Sequence, residues 1–234
     1  MSFHLRMSLP NRHSLQIVST KDGSQTILND ETGSTYHSRY GALTESKHVF
    51  IDKGLRKVVG NGMTEISLLE MGFGTGLNAL VTAQVAADLN ITINYHALEL
   101  FPVPEDIWSE YELPDQLIAE KELFQQLHQA EWNESVKINN RFTLTKHKVS
   151  LLNFEPVEKF DLVYYDAFEP ETQPELWTQS VFDSLFSWMN ENAILTTYCC
   201  KGYVRRNMIG AGFEVDKVPG PPGKREMIVA NRPL

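Results

Sequence analysis

The sequence predicts an α/β fold: a mainly parallel sheet with helices on both faces, a C-terminal antiparallel hairpin and a small N-terminal appendage. Three observations lead there. From Ile66 onward, short apolar runs alternate with stretches of helical length, the pattern of parallel strands joined by crossover helices. The segment Glu65-Ile-Ser-Leu-Leu-Glu-Met-Gly-Phe-Gly-Thr-Gly-Leu-Asn-Ala-Leu80 carries a buried-strand run into an apolar helix through Gly72, Gly74 and Gly76. Pro219-Gly-Pro-Pro-Gly223, between the last two strand runs, is too stiff and too glycine-rich for a helix, so the final strand returns antiparallel.

Taken in order, residues 1–60 read as an appendage packed on a main domain of residues 61–234. Leu15-Gln-Ile-Val-Ser alternates like a strand, Asp22-Gly-Ser turns, and Thr26-Ile-Leu resumes. Thr35-Tyr-His-Ser-Arg-Tyr-Gly leads into a helix from Ala42 to about Phe50. In the main domain the expected strands are Ile66–Met71, Ile91–Leu100, Phe142–Lys148, Leu162–Tyr165, Ala193–Tyr198, Phe213–Lys217 and Met227–Ala230. The expected helices are Leu77–Leu89, Asp115–Gln129, Thr178–Met189 and Tyr203–Ala211. Pro102–Asp115, rich in proline and acid, reads as an irregular crossing.

Bulk properties narrow the functional classes. A chain of 234 residues with 42% apolar content suits one large α/β domain with a small addition. No apolar run approaches the roughly eighteen residues of a membrane span, and Met1-Ser-Phe-His-Leu-Arg lacks a signal-peptide core. The two cysteines, Cys199 and Cys200, are adjacent and so suit neither a bridge to each other nor a metal quartet. A cytoplasmic protein that uses no membrane and no metal is the expectation. Net charge is −9, distributed as +3 over residues 1–61, −16 over 62–195 and +4 over 196–234. Basic ends on an acidic middle leave room for a positive face, which the total alone would argue against.

The glycine spacing G-x-G-x-G lacks the third glycine of the dinucleotide fingerprint. With Glu70 at the strand's carboxyl end, it resembles the first motif of S-adenosylmethionine-dependent methyltransferases. The competing reading is a tight turn without a ligand. Under the first reading Gly72, Gly74 and Gly76 leave bare main chain for the donor. Glu70 then acts on its ammonium through water or braces the loop, and Asn78 hydrogen-bonds its amino-acid tail. Glu99 ends the second strand, where a carboxylate accepts both ribose hydroxyl protons. Asp166 ends the central Phe160-Asp-Leu-Val-Tyr-Tyr165 run, placed to hold an amine, take its proton and offset charge as the methyl transfers.

An ordered series makes the resemblance specific. Asp22-Gly-Ser, Thr35-Tyr-His-Ser38, Gly41-Ala42, Val49-Phe50 and Phe73-Gly-Thr-Gly-Leu-Asn78 are followed by Asp166-Ala-Phe-Glu-Pro170 and Pro174-Glu-Leu-Trp-Thr178. Lys201-Gly-Tyr-Val-Arg-Arg206, Ala211-Gly-Phe213 and Pro219-Gly-Pro-Pro-Gly-Lys-Arg-Glu-Met227 complete it. The series, spanning about residues 15–230, resembles the methyltransferase domain of the MnmC family of tRNA wobble-uridine modification and its stand-alone relatives. The resemblance implies a Rossmann-like class I S-adenosylmethionine-dependent methyltransferase fold. It also implies N-methylation of the 5-aminomethyl group of a (2-thio)uridine in the tRNA anticodon stem-loop. The flavin-dependent oxidase domain of the bifunctional members has no counterpart in the sequence, so no flavin is expected.

Two departures stand out. Where many relatives carry an acid that binds the adenine amino group, this chain has Ser150; the family's D-G-F-A-P appears as Asp166-Ala-Phe-Glu-Pro170. For the RNA, Lys201, Arg205, Arg206, Lys224 and Arg225 are the phosphate-facing candidates, and Phe168, Trp177 and Tyr198 the rings available to stack on a flipped uracil. Each has a plainer reading, a solvated helix face or core packing. The alternative function is methylation of a small-molecule or protein amine. A non-catalytic binding protein and a nucleotide-dependent dehydrogenase fit less of the pattern.

Overall fold

The computed structural model describes residues 14–234. The reading of Met1-Ser-Phe-His-Leu-Arg and the start of the appendage lie outside the described residues. Strands β1 (Leu15–Ser19), β2 (Gln25–Asn29) and β3 (Ser34–Thr35) form a separate antiparallel sheet. Asp22, in the first hairpin's turn, accepts from the Ser24 and Thr44 amides at 3.1 and 2.9 Å, while Ser24 Oγ accepts from Ala42 N at 3.0 Å. The Asp22-Gly-Ser turn thereby caps the next helix, filling its unpaired N–H groups.

That helix runs beyond the expected Phe50. Helix α1 (Ala42–Glu45), a π-helical stretch Ser46–Leu55 and α2 (Arg56–Gly60) are continuous. Gly54 permits the extension: a Cβ there would stand 3.3 Å from Leu162 and Tyr164 side-chain atoms, so the backbone lies directly on the sheet.

The main domain follows as β4 (Glu65–Met71), α3 (Leu77–Leu89), β5 (Thr92–Leu98), α4 (Glu105–Trp108), α5 (Lys121–Gln129), β6 (Ser135–Asn139) and β7 (Phe142–His147). Then come β8 (Phe160–Tyr165), α6 (Gln179–Trp188), β9 (Met189–Thr197), α7 (Gly202–Gly210), β10 (Glu214–Pro219) and β11 (Glu226–Asn231). The eight strands order as β10-β11-β9-β8-β4-β5-β7-β6. The five from β9 to β7 are parallel, and β11 inserts antiparallel between β9 and β10, as the stiff glycine-proline turn predicts. Strand β4 has β5 on one side and β8 on the other, so the chain's winding reverses there, and ligands of open α/β sheets bind at the carboxyl ends of strands at such a switch point. Helix α3 is buried along most of its length, which is why its sequence is apolar all round.

Three expectations need correction. Strand β6, an edge strand with alternating exposed and half-buried residues, escaped notice because its charge and polarity dilute the apolar signal. The helix expected over Asp115–Gln129 divides into a 3-10 segment, Asp115–Glu120, and α5. Leu117 points inward while Ile118 is 63% exposed, so one apolar stripe does not run through both. The Pro102–Asp115 crossing contains the single turn α4. Among the described residues no helix is long and apolar enough to cross a membrane, and no three His, Cys, Asp or Glu are grouped to hold a metal ion.

Candidate active site

The site begins at the end of β4. Gly72, Gly74 and Gly76 adopt φ of +88°, +50° and +73°, the left-handed region that side chains with a Cβ avoid. Each also lies against a different neighbour. A Cβ at Gly72 would stand 3.2 Å from the Asp166 carbonyl, at Gly74 3.0 Å from the Tyr36 ring, and at Gly76 3.0 Å from His128 Nε2. The loop is thus gripped by the end of β8, the appendage and α5. His37 strengthens the second grip: its Nε2 lies 2.8 Å from Thr75 Oγ1, both residues being buried. His128 strengthens the third, with Nε2 3.0 Å from the Thr75 carbonyl and its ring stacked on Trp108 at 4.7 Å.

Asp166 follows β8 and reaches the loop's helix: Asn78 Nδ2 donates to its Oδ2 at 2.9 Å. Asn78, expected on the donor's tail, is committed to Asp166 instead, while its Oδ1 is buried without a partner. Burial pushes the Asp166 carboxyl up to about 8; the Glu45 carboxylate adds to this, and the Asn78 amide and Lys224 ammonium oppose it. Glu70, expected to touch the donor or brace the loop, is fully buried, with the Tyr95 hydroxyl and the Asn78 amide as its polar neighbours. Burial first, and the Asp166 charge second, hold it far above the usual carboxylate range. It is therefore an acid sealed from solvent, with no surface for a ligand.

Glu99, just past β5, accepts from Gly74 N at 3.1 Å and Phe101 N at 2.9 Å. Burial raises it to about 7 against the pull of these amides. Its carboxylate is fixed beside the glycine loop at the strand end where a ribose diol needs two acceptors. Those features fit S-adenosyl-L-methionine: left-handed glycine turns at the switch point and an oriented carboxylate on the neighbouring strand. Ser150 caps the 3-10 turn Leu151–Asn153, its Oγ accepting from Leu152 N at 3.3 Å, so part of its accepting capacity is spent on its own backbone.

The residues expected on the RNA side divide. Trp177 is fully buried against Tyr165 and Phe182, with its Nε1 on the Phe168 carbonyl at 2.9 Å, so it presents no face to a base and is a core residue. Phe168 is half-buried and meets Tyr36 edge to face at 5.1 Å, beside the loop. Tyr198 is held by a 2.8 Å bond from its hydroxyl to the Ala167 carbonyl, and its face is covered by Lys224 Nζ at 3.6 Å. Lys224, expected on phosphate, turns inward to the buried Glu45 at 3.2 Å. Lys201 is paired with Glu171. On α7, Arg206 is exposed and Arg205 half-buried, and Arg225 is exposed on the hairpin tip.

The sequence reading missed Tyr36 and Glu45. No local signal marks Glu45, an acid in the first turn of a helix, until Ser38 N, bonded to its Oε2 at 2.8 Å, and Lys224 are seen to converge on it. His48 Nε2 on the Pro219 carbonyl at 2.9 Å closes the same contact, so the basic C-terminal hairpin does meet the N-terminal appendage. The Cys199 thiol is buried and pushed up to about 11, which suits packing rather than nucleophilic chemistry.

Residues 111–233 match the profile of a family described as S-adenosyl-L-methionine-dependent methyltransferases. The chain is 31% identical, over 232 residues, to the tRNA 5-methylaminomethyl-2-thiouridine biosynthesis bifunctional protein MnmC of Aeromonas hydrophila, covering 88% of this chain and 34% of that protein. Its counterpart in Burkholderia thailandensis is 32% identical over 237 residues, covering 91% and 34%. The chain thus spans about a third of the length of these relatives. Among solved structures, MNMC2 from Aquifex aeolicus superposes with a TM-score of 0.78 at 25% identity, covering 93% of this chain and 70% of that one. Spermidine synthase from Thermotoga maritima shares the fold alone, at a TM-score of 0.51 and 12% identity. A profile match over more than half the sequence meets a strand order and glycine loop suited to the same donor, and the chain belongs to the S-adenosyl-L-methionine-dependent methyltransferases.

Proposed function

We propose that this methyltransferase acts on tRNA, methylating the 5-aminomethyl group of a (2-thio)uridine at the wobble position to give the 5-methylaminomethyl product. The observation that carries the reading is Asp166: an oriented carboxylate, raised toward the pKa of an amine, beside the loop that suits the donor. The names borne by the MnmC relatives supply the nucleoside.

When bound, S-adenosyl-L-methionine supplies a sulfonium methyl whose bond to sulfur breaks as the new N–C bond forms, the electron pair leaving on sulfur. Glu99 would hold the ribose, and the glycine loop would lie along the donor. Asp166 would hold the amine, and its carboxylate would take the N–H proton that the nitrogen must shed. With its pKa raised to about 8, Asp166 accepts the proton more readily than an ordinary carboxylate and is ionised at mildly alkaline pH. Asn78 keeps that carboxylate in one orientation. Phe168 would stack on the uracil, and Arg205, Arg206 and Arg225 would meet phosphates.

The appendage (1–60) and main domain (61–234) are proposed to work as one unit, because Tyr36, His37 and Glu45 of the first reach the glycine loop and hairpin of the second. A cytoplasmic location follows as part of the same proposal, since that is where the tRNA substrate resides. Mass spectrometry of tRNA nucleosides from a deletion strain tests the reading. Accumulation of the unmethylated 5-aminomethyl nucleoside is expected; an unchanged nucleoside profile would overturn it.

A further inference from the structure

The hairpin loop between β10 and β11 places an ammonium group against a buried carboxylate and an aromatic face. Lys224 Nζ lies 3.2 Å from Glu45 Oε1 and 3.6 Å from the centre of the Tyr198 ring. An ammonium over an aromatic face beside a carboxylate is a cation-binding arrangement. Its parts are fixed independently of the lysine. Glu45 Oε2 accepts from Ser38 N at 2.8 Å, and the Tyr198 hydroxyl is bonded to the Ala167 carbonyl at 2.8 Å. Asp166 adjoins this arrangement through the chain, since the carbonyl that holds the Tyr198 hydroxyl belongs to Ala167, the next residue.

The lysine itself is the least secured member. Its side chain is 32% exposed, against 5% for Glu45. Its backbone is held by Pro221 at 2.9 Å, and the adjoining Gly223 packs against the Tyr40 ring, so a rotamer change alone can remove the ammonium.

We propose that Glu45 and the face of Tyr198 form, with Asp166, the seat for the substrate's primary ammonium, and that Lys224 occupies this seat until the substrate displaces it. The inference rests on the amine-methylating reading above and adds two positioning residues to it. Glu45 and Tyr198 then select a cationic amine over a neutral or hydroxylic group, and Asp166 receives the proton once the amine is seated. Lys224 spares the ligand-free protein an uncompensated buried carboxylate.

Methylammonium chloride is a suitable probe, because it tests the seat without the uridine. Titration into Lys224→Met, followed by the NMR signals of Tyr198, is expected to show binding about tenfold tighter than in wild type if the lysine holds the seat nine-tenths of the time. Adding Glu45→Gln to that variant should abolish the gain. A wild-type measurement guards against a misfolded variant. In protein labelled at lysine Cε, the Lys224 signal should be displaced by the Tyr198 ring current and should return toward the free-lysine position on addition of 5-aminomethyluridine or excess methylammonium. Equal or weaker binding in Lys224→Met, or a Lys224 signal unmoved by both amines, would overturn the seat even if tRNA is methylated. Gain of methylammonium binding without tRNA methylation by the wild type would instead overturn the substrate reading and leave the seat standing.

Discussion

Asn78 and Asp166 lie 88 positions apart in sequence and meet through a 2.9 Å hydrogen bond that joins the helix after the glycine loop to the end of β8. The bond orients the proposed base and lowers a proton affinity that burial raises. Asp166→Ala is expected to lose about 10²–10⁴-fold in kcat, the range for a lost general base, with donor affinity by calorimetry kept within a few-fold. Near-normal turnover would remove Asp166 from the mechanism.

The pH profile should follow the groups around Asp166. The reactive form is the carboxylate and its pKa is about 8, so kcat/KM should fall as pH drops below about 8. Asn78→Ala removes a group that lowers this pKa and should move the limb to higher pH. Glu45→Gln removes one that raises it and should move the limb lower. Shifts in the opposite order would refute the assignment.

Gly74→Val meets two obstacles, a φ of +50° and the Tyr36 ring 3.0 Å from the new Cβ. The strain alone costs about 1–2 kcal/mol in a left-handed conformation, and donor binding should become undetectable by calorimetry. An unchanged affinity would contradict the placement of the donor on this loop.

His37→Ala would leave the buried Thr75 hydroxyl without its 2.8 Å partner. The expected destabilisation is about 0.5–1.5 kcal/mol in urea unfolding, the net worth of one hydrogen bond, because the Tyr111 hydroxyl remains as a partner of Thr75. A stability equal to wild type would mean that the appendage does not brace the loop.

Glu70 gives a stability test with a definite sign. Its folded-state pKa is raised, so its contribution is fully present below the unfolded pKa near 4.5 and is lost as pH rises toward the folded value. Glu70→Gln copies the neutral acid without the proton. Its stability relative to wild type should therefore improve with pH above about 4.5, by at most about 1.4 kcal/mol per unit. A flat difference between pH 5 and pH 8 would show the group ionised when folded.

The order of strands and helices was legible because buried parallel strands read as apolar runs and the glycine loop and stiff hairpin tip punctuate them. The strand-end positions of Glu99 and Asp166 were legible for the same reason, since each directly follows such a run. Strand β6 and the break before α5 were not, since an exposed edge and a 3-10 turn leave weak periodicity. Trp177 shows the limit for single side chains. An aromatic residue near a motif has the same letter whether its ring faces a base or the core, and here Tyr165 and Phe182 enclose it.

By itself, then, the sequence determined the succession of buried strands and helices, the antiparallel return of the last strand and the backbone of the glycine loop, because each depends on local periodicity or on the special backbone of glycine and proline. Tertiary structure alone decided that Asn78 bonds Asp166, that Glu70 is sealed from solvent, and that Lys224 turns to Glu45 rather than outward. Those outcomes depend on burial and on charges brought together from distant parts of the chain, and local pattern carries neither.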